Sequence, residues 1–102
     1  MKELTENSFE TETKKGNVIV DFWAEWCGPC KMLGPVFEEL SNEIKNVDFA
    51  KVNVDNNGEL SGSAGVKGIP TLILYKDGKE IDRIVGALSK EALKQKIEST
   101  FS

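Results

Sequence analysis

The chain contains two cysteines, Cys27 and Cys30, which are separated by two residues within the stretch Trp26–Lys31. They lie where a run of strand-forming residues ends and a helical pattern begins. A thiol at the N-terminus of a helix feels the positive end of the backbone dipole, which favours the thiolate. A second thiol one turn along can reach the first. The pair is therefore typical of a reversible dithiol/disulfide and indicates disulfide exchange as the first chemistry to consider.

Two other uses of the cysteine pair are less well supported. A purely structural disulfide between Cys27 and Cys30 would close a very small loop and would restrict the unfolded chain little. A zinc site with four protein ligands needs more sulfur or imidazole than two cysteines and no histidine can supply. We therefore predict no metal site.

Composition and charge are those of a small globular protein. The 102 residues are enough for one domain with a single core. The 13 basic and 17 acidic side chains are mixed, and a net charge of −4 without a basic block argues against nucleic acid as a partner. No apolar run approaches the roughly 20 residues of a membrane span, and Met1–Asn7 lacks an apolar signal region. We expect a cytoplasmic protein, in which two cysteines favour redox chemistry over a structural disulfide.

The residues around the cysteines predict a buried strand followed by an amphipathic helix. Val18–Trp23 is apolar on both faces, which is typical of a central strand. Pro35 falls inside the helix that follows, where it removes one backbone donor and should bend the axis. The apolar side of this helix recurs at helical spacing and consists of Leu33, Val36, Phe37, Leu40 and Ile44.

The elements on either side of this pair are shorter. Lys2–Leu4 could form a first strand, and Asn7–Lys14 is compatible with a helix. Val47–Val54 predicts a second long strand. Asp55–Gly68 is rich in Asn, Ser and Gly, so any helix there should be short and weak.

The last third of the chain predicts a hairpin and a helix. Asp77–Gly78 is a strong turn signal between the strands Thr71–Tyr75 and Ile81–Val85, which should therefore be antiparallel. Ser89 should cap the final helix, whose apolar stripe is Leu93, Ile97 and Phe101. Helical crossovers followed by a hairpin predict an α/β fold, in which a mixed central β-sheet of about five strands is flanked by about four helices on both faces.

Four segments of the sequence resemble the thioredoxin family. Val20–Lys31 is similar, almost letter for letter, to the active-site stretch of that family. Ala50–Asp55, Gly68–Thr71 and Val85–Ala87 are similar to three further family segments, in the same order. The likeness covers nearly the whole chain and implies the thioredoxin fold, with a single thioredoxin domain over residues 1–102.

The sequence departs from the family pattern in two places. It starts late, so the first strand should be shorter than usual. Leu60–Gly65 replaces a more structured stretch, which predicts a weak third helix and leaves the chemistry untouched.

The resemblance implies a role for each cysteine. Cys27 would be the exposed nucleophile, and Cys30 would be the buried resolving thiol. Cys27 would attack a substrate disulfide to give a mixed disulfide, and Cys30 would then attack the Cys27 sulfur and release the reduced substrate. No bound cofactor is implied, because the Cys27–Cys30 disulfide is itself the redox-active group and a reductase would supply the electrons.

Asp21 and Lys51 are the next candidates. A carboxylate inside an apolar strand should be buried, which raises its pKa. The resemblance places Asp21 behind Cys30 and implies that it accepts the Cys30 proton, directly or through water; the alternative is an edge-strand acid that reaches solvent. Lys51 would lie near Asp21 and offset part of the rise in its pKa, and the alternative is a surface lysine. For Trp23 the sequence leaves two roles open, packing against the site and a direct part in the site.

The resemblance also implies a surface for substrates. The Ile69–Pro70 bond would be cis and would face the cysteines, so that the backbone of Ile69 could pair with an extended substrate segment; the alternative is an ordinary trans loop proline. A small apolar substrate-binding surface around Cys27 would be formed by Trp26, Gly28, Pro29, Gly68, Ile69, Pro70, Val85, Gly86 and Ala87.

These features predict a small monomeric redox protein that reduces disulfides in protein substrates and receives electrons from a thioredoxin reductase. An oxidase or isomerase on the same fold is one alternative, and its reduction potential would be clearly more oxidising than that of glutathione. The other is a binding or holdase module with incidental cysteines. Such a module would keep full biological activity in a Cys27→Ser, Cys30→Ser double variant.

Overall fold

The computed structural model describes all of residues 1–102 and contains five strands and four helices in the predicted order. The strands are β1 Lys2–Glu3, β2 Asn17–Trp23, β3 Asp48–Asn53, β4 Thr71–Lys76 and β5 Lys79–Val85. The helices are α1 Phe9–Thr13, α2 Gly28–Glu43, α3 Gly58–Ser63 and α4 Lys90–Thr100. None of the four helices combines the length and apolar character needed to cross a membrane.

The strands form one mixed sheet in the order β1-β3-β2-β4-β5. The crossover through α2 returns the chain parallel to β2, so β2 and β3 are parallel neighbours. Asp77 and Gly78 both have positive φ angles, 50° and 86°, and this two-residue turn makes β4 and β5 antiparallel as predicted. The strand β2 therefore lies in the centre of the sheet, between β3 and β4.

Two apolar layers cover the sheet, as expected for helices on both faces. Because side chains alternate along a strand, Ile19 packs with α2 and α4, whereas Val20 and Phe22 pack with the side that includes α1 and α3. The helix α2 contributes Leu33, Phe37 and Leu40 to the first layer, all nearly or fully buried. Each such side chain stabilises the fold by about 1.5 to 3 kcal/mol.

The short helix α3 is held by residues far away in sequence. The Glu6 carboxylate accepts hydrogen bonds from the backbone N–H groups of Glu59 (3.0 Å) and Leu60 (3.3 Å), at the start of the helix. At the other end, the Arg83 guanidinium donates to the carbonyl oxygens of Ala64 (2.8 Å) and Gly65 (3.3 Å). The weak helix predicted from its glycines therefore forms with support from both ends.

The final helix begins as predicted. The Ser89 hydroxyl oxygen accepts a hydrogen bond from the backbone N–H of Ala92 at 3.2 Å, which satisfies one free donor of the first turn. Lys90 and Lys94 form ion pairs with Glu43 at the end of α2. These contacts fix α4 against the helix that begins at the cysteines.

Candidate active site

The cysteine pair occupies the first turn of α2. Cys27 is the N-cap residue, and Gly28 and Pro29 follow it at the start of the helix, where a proline costs no hydrogen bond. Cys27 and Cys30 form a disulfide, with their Cα atoms 5.2 Å apart. The backbone N–H of Cys30 donates a hydrogen bond to the Cys27 Sγ at 3.2 Å. The start of the helix therefore offers a donor to the sulfur that would carry the thiolate charge.

The prediction that Cys27 is exposed is wrong for this disulfide state. Cys27 and Cys30 are each only 4% exposed. Cys27 is covered because it packs with Ala24 and Cys30 and against the partly buried Trp23 and Ile69. Its Sγ lies 3.8 Å from the carbonyl oxygen of Ile69, and because a disulfide sulfur carries no proton, this is a close approach and not a hydrogen bond.

Asp21 is fully buried in the central strand, as predicted. It lies two residues from Ile19, so it projects to the sheet face that α2 covers. Neither carboxylate oxygen has a hydrogen-bond partner in the protein. Burial raises the pKa of Asp21 from the ordinary 3.8 to about 7, a rise that the positive charge of Lys51 reduces and the negative charge of Glu3 increases. A carboxyl group of this kind can exchange a proton near neutral pH.

Lys51 is half-buried on β3, directly beside Asp21 in the register of the two strands. Its ammonium nitrogen lies 4.3 Å from the ring centroid of Trp23. No ion pair joins Lys51 to Asp21, although the lysine charge lowers the pKa of the carboxyl group. Trp23 packs against the cysteine cluster and also contacts the lysine, so it has both a packing contact and a polar one.

The loop that contains Pro70 is fixed by backbone contacts. The Ile69–Pro70 bond is cis, as the resemblance implies. The Thr71 hydroxyl donates to the Gly68 carbonyl at 2.5 Å, and the backbone N–H of Gly86 donates to the Pro70 carbonyl at 2.8 Å. The second bond places the end of β5 and the residues that follow it, including the exposed Val85 and Ala87, next to the proline.

Trp26 lies at the surface beside the cysteines and is 69% exposed. Its indole N–H donates to Asp55 Oδ2 at 2.9 Å, and this bond orients the ring. The ring borders an open, mostly apolar groove of about 340 Å³, whose other lining residues are Val54, Ser61, Val66, Lys67, Gly68 and Ile69. Asp55, Val54 and Val66 are not among the predicted site residues, because their contacts with this site depend on the folding of segments distant in sequence.

The structure brings most of the predicted residues together. Trp26, Gly68 and Ile69 line the groove, and the contact of Cys27 with Ile69 places the disulfide beside it. Gly28 and Pro29 are exposed at the start of the helix, whereas Pro70 is buried. Three predicted residues, Val85, Gly86 and Ala87, do not line the groove and join the site through the bond between Gly86 and Pro70.

Comparison with known proteins gives the same fold and the same cysteine motif. The family model for thioredoxin matches residues 1–99. The chain belongs to the thioredoxin family. It is 48% identical over 93 residues to a thioredoxin from Chlamydia caviae, covering 91% of each chain. It is 47% identical over 98 residues to a thioredoxin from Listeria monocytogenes, covering 95% of each.

A solved thioredoxin has the same architecture. The structure from Plasmodium falciparum superposes with a TM-score of 0.91 at 40% identity, covering 97% of this chain and 98% of the other. Members of the thioredoxin family are disulfide oxidoreductases that use their own redox-active disulfide and bind no cofactor. In this chain the disulfide is Cys27–Cys30, so the protein carries out dithiol–disulfide exchange. The family acts on disulfide substrates and works with a reductase.

Proposed function

We propose that this thioredoxin-family protein is a protein-disulfide reductase, which carries electrons from a thioredoxin reductase to disulfides in protein substrates. The observation that supports this most directly is the hydrogen bond from the Cys30 N–H to the Cys27 Sγ, beside an open groove. That donor would stabilise a thiolate on Cys27 in the reduced protein. Cys27 is then the nucleophile and Cys30 the resolving thiol.

The first step forms a mixed disulfide. The Cys27 thiolate attacks one sulfur of the substrate disulfide, a new S–S bond joins Cys27 to the substrate, and the other substrate sulfur leaves as a thiolate. Binding in the groove would hold the substrate sulfur close to Cys27, which supplies more rate than a lowered thiol pKa alone can.

The second step releases the substrate. Cys30 loses its proton and attacks the Cys27 sulfur, so the mixed disulfide breaks and the Cys27–Cys30 disulfide forms. The two electrons of the cysteine pair now reside on the two substrate sulfurs. We assign the Cys30 proton to Asp21, whose carboxylate oxygens have no other partner and whose pKa of about 7 suits proton exchange. Lys51 tunes that pKa through its charge.

The substrate would lie across the groove and the cis-proline loop. Trp26, Gly28, Pro29, Gly68 and Ile69 would contact its side chains and backbone, with Pro70 and the stretch Val85–Ala87 behind them. The carbonyl and N–H of an extended substrate segment would pair with the Ile69 backbone by strand addition. Recognition by shape and backbone would admit many different substrates.

We further propose that residues 1–102 act as one redox domain, as a monomer in the cytoplasm. The fold has a single five-stranded sheet, and the residues of the site lie on its strands, on α2 and in the loops that join them. Reduction of the Cys27–Cys30 disulfide then requires a bimolecular encounter with the reductase, which transfers two electrons to it.

The test is the reduction of insulin disulfides, driven by NADPH and a thioredoxin reductase or by dithiothreitol. We expect the wild-type protein and a Thr11→Ser control, an exposed change on α1, to give equal rates. The Cys27→Ser variant should give no rate above background. Equal rates for Cys27→Ser and wild type would overturn the mechanism. A reduction potential clearly more oxidising than that of glutathione would favour an oxidase or isomerase.

A further inference from the structure

We propose that Trp23 is a positioning residue, whose indole ring holds the ammonium group of Lys51 beside Asp21 so that the lysine charge acts on the carboxyl group during the resolving step. The inference rests on the proposed role of Asp21 as proton acceptor. It assigns to Trp23 a function beyond packing.

The three side chains lie on one face of the sheet. Asp21 and Trp23 are two residues apart on β2, so they project to the same side. Lys51 lies directly beside Asp21 on β3, and Trp23 lies two pairs further along the same two strands, opposite Asn53. The ammonium nitrogen is 4.3 Å from the Trp23 ring centroid, while no ion pair within 4.0 Å joins it to Asp21. The lysine therefore contacts the ring and acts on the carboxylate from beyond 4.0 Å, without forming an ion pair.

The contact between its ring and the Lys51 ammonium group is the polar interaction that Trp23 makes in this region. Its indole N–H is buried and has no acceptor, so hydrogen bonding does not explain the orientation of the side chain. The electron-rich face of an indole attracts a cation, more strongly where the cation is partly removed from water, as Lys51 is. The contact between cation and ring thus fixes both groups at a partly buried position.

Without the Trp23 ring, the Lys51 side chain could adopt a second position. Lys51 also lines an open groove beside α2, together with Glu38, Glu39 and Asn42. The two carboxylates in this groove would attract the ammonium group toward solvent. Loss of the ring would therefore move the lysine charge away from Asp21.

Few other groups could produce the same effect on Asp21. The charged groups that act on the pKa of Asp21 are Glu3 from β1 and Lys51 from β3. On the proposed function, the thiol that Cys30 carries when reduced adds a titratable group from α2. From β4 its neighbour is the apolar Leu72. Lys51 supplies the positive charge that lowers the pKa of Asp21, and Glu3 acts in the opposite direction.

The experiment compares Trp23→Leu in two backgrounds, one that keeps Lys51 and one that carries Lys51→Met. The pKa of Asp21 is read directly from its carboxyl carbon by NMR as a function of pH, in the oxidised protein. Truncating the ring also admits water, which lowers the pKa in both backgrounds equally. With Lys51 present, we expect the effect of Trp23→Leu on the pKa to be more positive by about 0.5 than in the Lys51→Met background, which lacks the charge. Equal effects in the two backgrounds would show a merely structural role and overturn the proposal.

Two further measurements test the proposal if the Trp23→Leu variant folds poorly. Trp23→Phe keeps an aromatic face, so its background-dependent difference should be at most half of that seen for Trp23→Leu. In the unmodified protein, ring currents should shift the Lys51 ε-methylene protons upfield of ordinary lysine values, and unshifted protons would contradict the contact. These readings do not depend on catalysis. If Asp21→Asn left the resolving step unchanged, the proton-acceptor role would fail while the titration result would stand.

Discussion

At the level of single residues, Asp21 carries the largest stability cost of the site. It is fully buried, it has no hydrogen-bond partner, and the nearest positive charge does not form an ion pair with it. Its pKa is about 7 in the folded protein, against 3.8 for an ordinary aspartate. Folding therefore favours the protonated form, and the ionised form destabilises the fold.

We predict that Asp21→Asn stabilises the protein at alkaline pH. A pKa raised from 3.8 to about 7 corresponds to roughly 4 kcal/mol of lost stability above pH 7. Asparagine mimics the protonated acid, so urea unfolding at about pH 8.5 should show a gain of about 2 to 4 kcal/mol. The gain should shrink as the pH falls and vanish below about pH 4, where aspartate is protonated in both states.

A matched control for this measurement is Asp48→Asn, since Asp48 is exposed at the start of β3. Its effect should stay within about 0.5 kcal/mol at both pH values. A gain from Asp21→Asn that did not change with pH would contradict the buried-charge explanation.

The same substitution should slow the resolving step. The wild-type rate of mixed-disulfide breakdown should rise with pH through about 7, as the Asp21 carboxyl group loses its proton. In Asp21→Asn that inflection should disappear, and the rate should fall by about 100-fold, since a positioned base contributes at least this factor. Rapid mixing with a chromogenic disulfide between pH 6 and 9, roughly the range over which the acid titrates, would measure it. An unchanged profile would remove Asp21 from the mechanism.

Sequence reasoning succeeds at the residue scale where the cause is local. The burial of Asp21 follows from its apolar neighbours in β2. The low exposure of Cys27 does not, because the covering residue Ile69 is 42 positions away. The bond between Trp26 and Asp55, 29 positions apart, is equally invisible to local patterns.

At the level of elements, α3 differs from the other helices because its ends are held from outside. Its N-cap residue, Asn57, makes no capping bond to the helix with its side chain. The Glu6 carboxylate takes that place from the loop before α1. Two glycines within six residues make the helix weak by itself, so its stability should depend on Glu6 and Arg83.

We predict that Glu6→Ala destabilises α3 locally. Loss of the acceptor leaves the N–H groups of Glu59 and Leu60 without a protein partner, at a cost of about 1 kcal/mol. Hydrogen exchange should show faster exchange of the Ser61 and Ala64 amides, which form the helical bonds. Glu10→Ala on the exposed face of α1 is the control. Identical exchange in the two variants would exclude the capping role.

The helices and strands could be predicted well where a few residues close together in sequence determine them. The Asp77–Gly78 turn, the Ser89 cap and the central strand follow from local chemistry. The first helix covers Phe9–Thr13, inside the predicted Asn7–Lys14, and β3 begins at Asp48, one residue after the predicted start. The support of α3 could not be predicted, because Glu6 lies 53 positions before Glu59.

At the level of the whole molecule, the surface ion pairs contribute little to stability. All six ion pairs join side chains that are at least 30% exposed, and several connect α4 to α2 and β5. Exposed pairs contribute 0 to about 1 kcal/mol each, and salt screens them. The apolar layers on both sides of the sheet supply most of the favourable energy.

We therefore predict a weak dependence on salt. Raising the sodium chloride concentration from about 0.05 M to about 0.5 M should change the free energy of unfolding by less than about 1 kcal/mol. By contrast, Phe37→Ala in the core should cost about 3 to 5 kcal/mol at either concentration. Urea unfolding at the two concentrations gives both values. A loss of several kcal/mol in salt would show that the ion pairs hold the fold together.

The two sides of the groove beside Trp26 differ in their expected resistance to local opening. The sulfur atoms belong to a 16-residue helix packed on the central strand, whereas the facing side includes Ser61 of a six-residue helix held by Glu6 and Arg83. Segments with few buried contacts open at lower free energy than the core. Such opening would let the groove change its shape for different substrates without disturbing the start of α2, where Cys27 and Cys30 form and break their disulfide. On the proposed function, the range of substrates and the exchange chemistry would then depend on two parts of one small protein that open at different free energies.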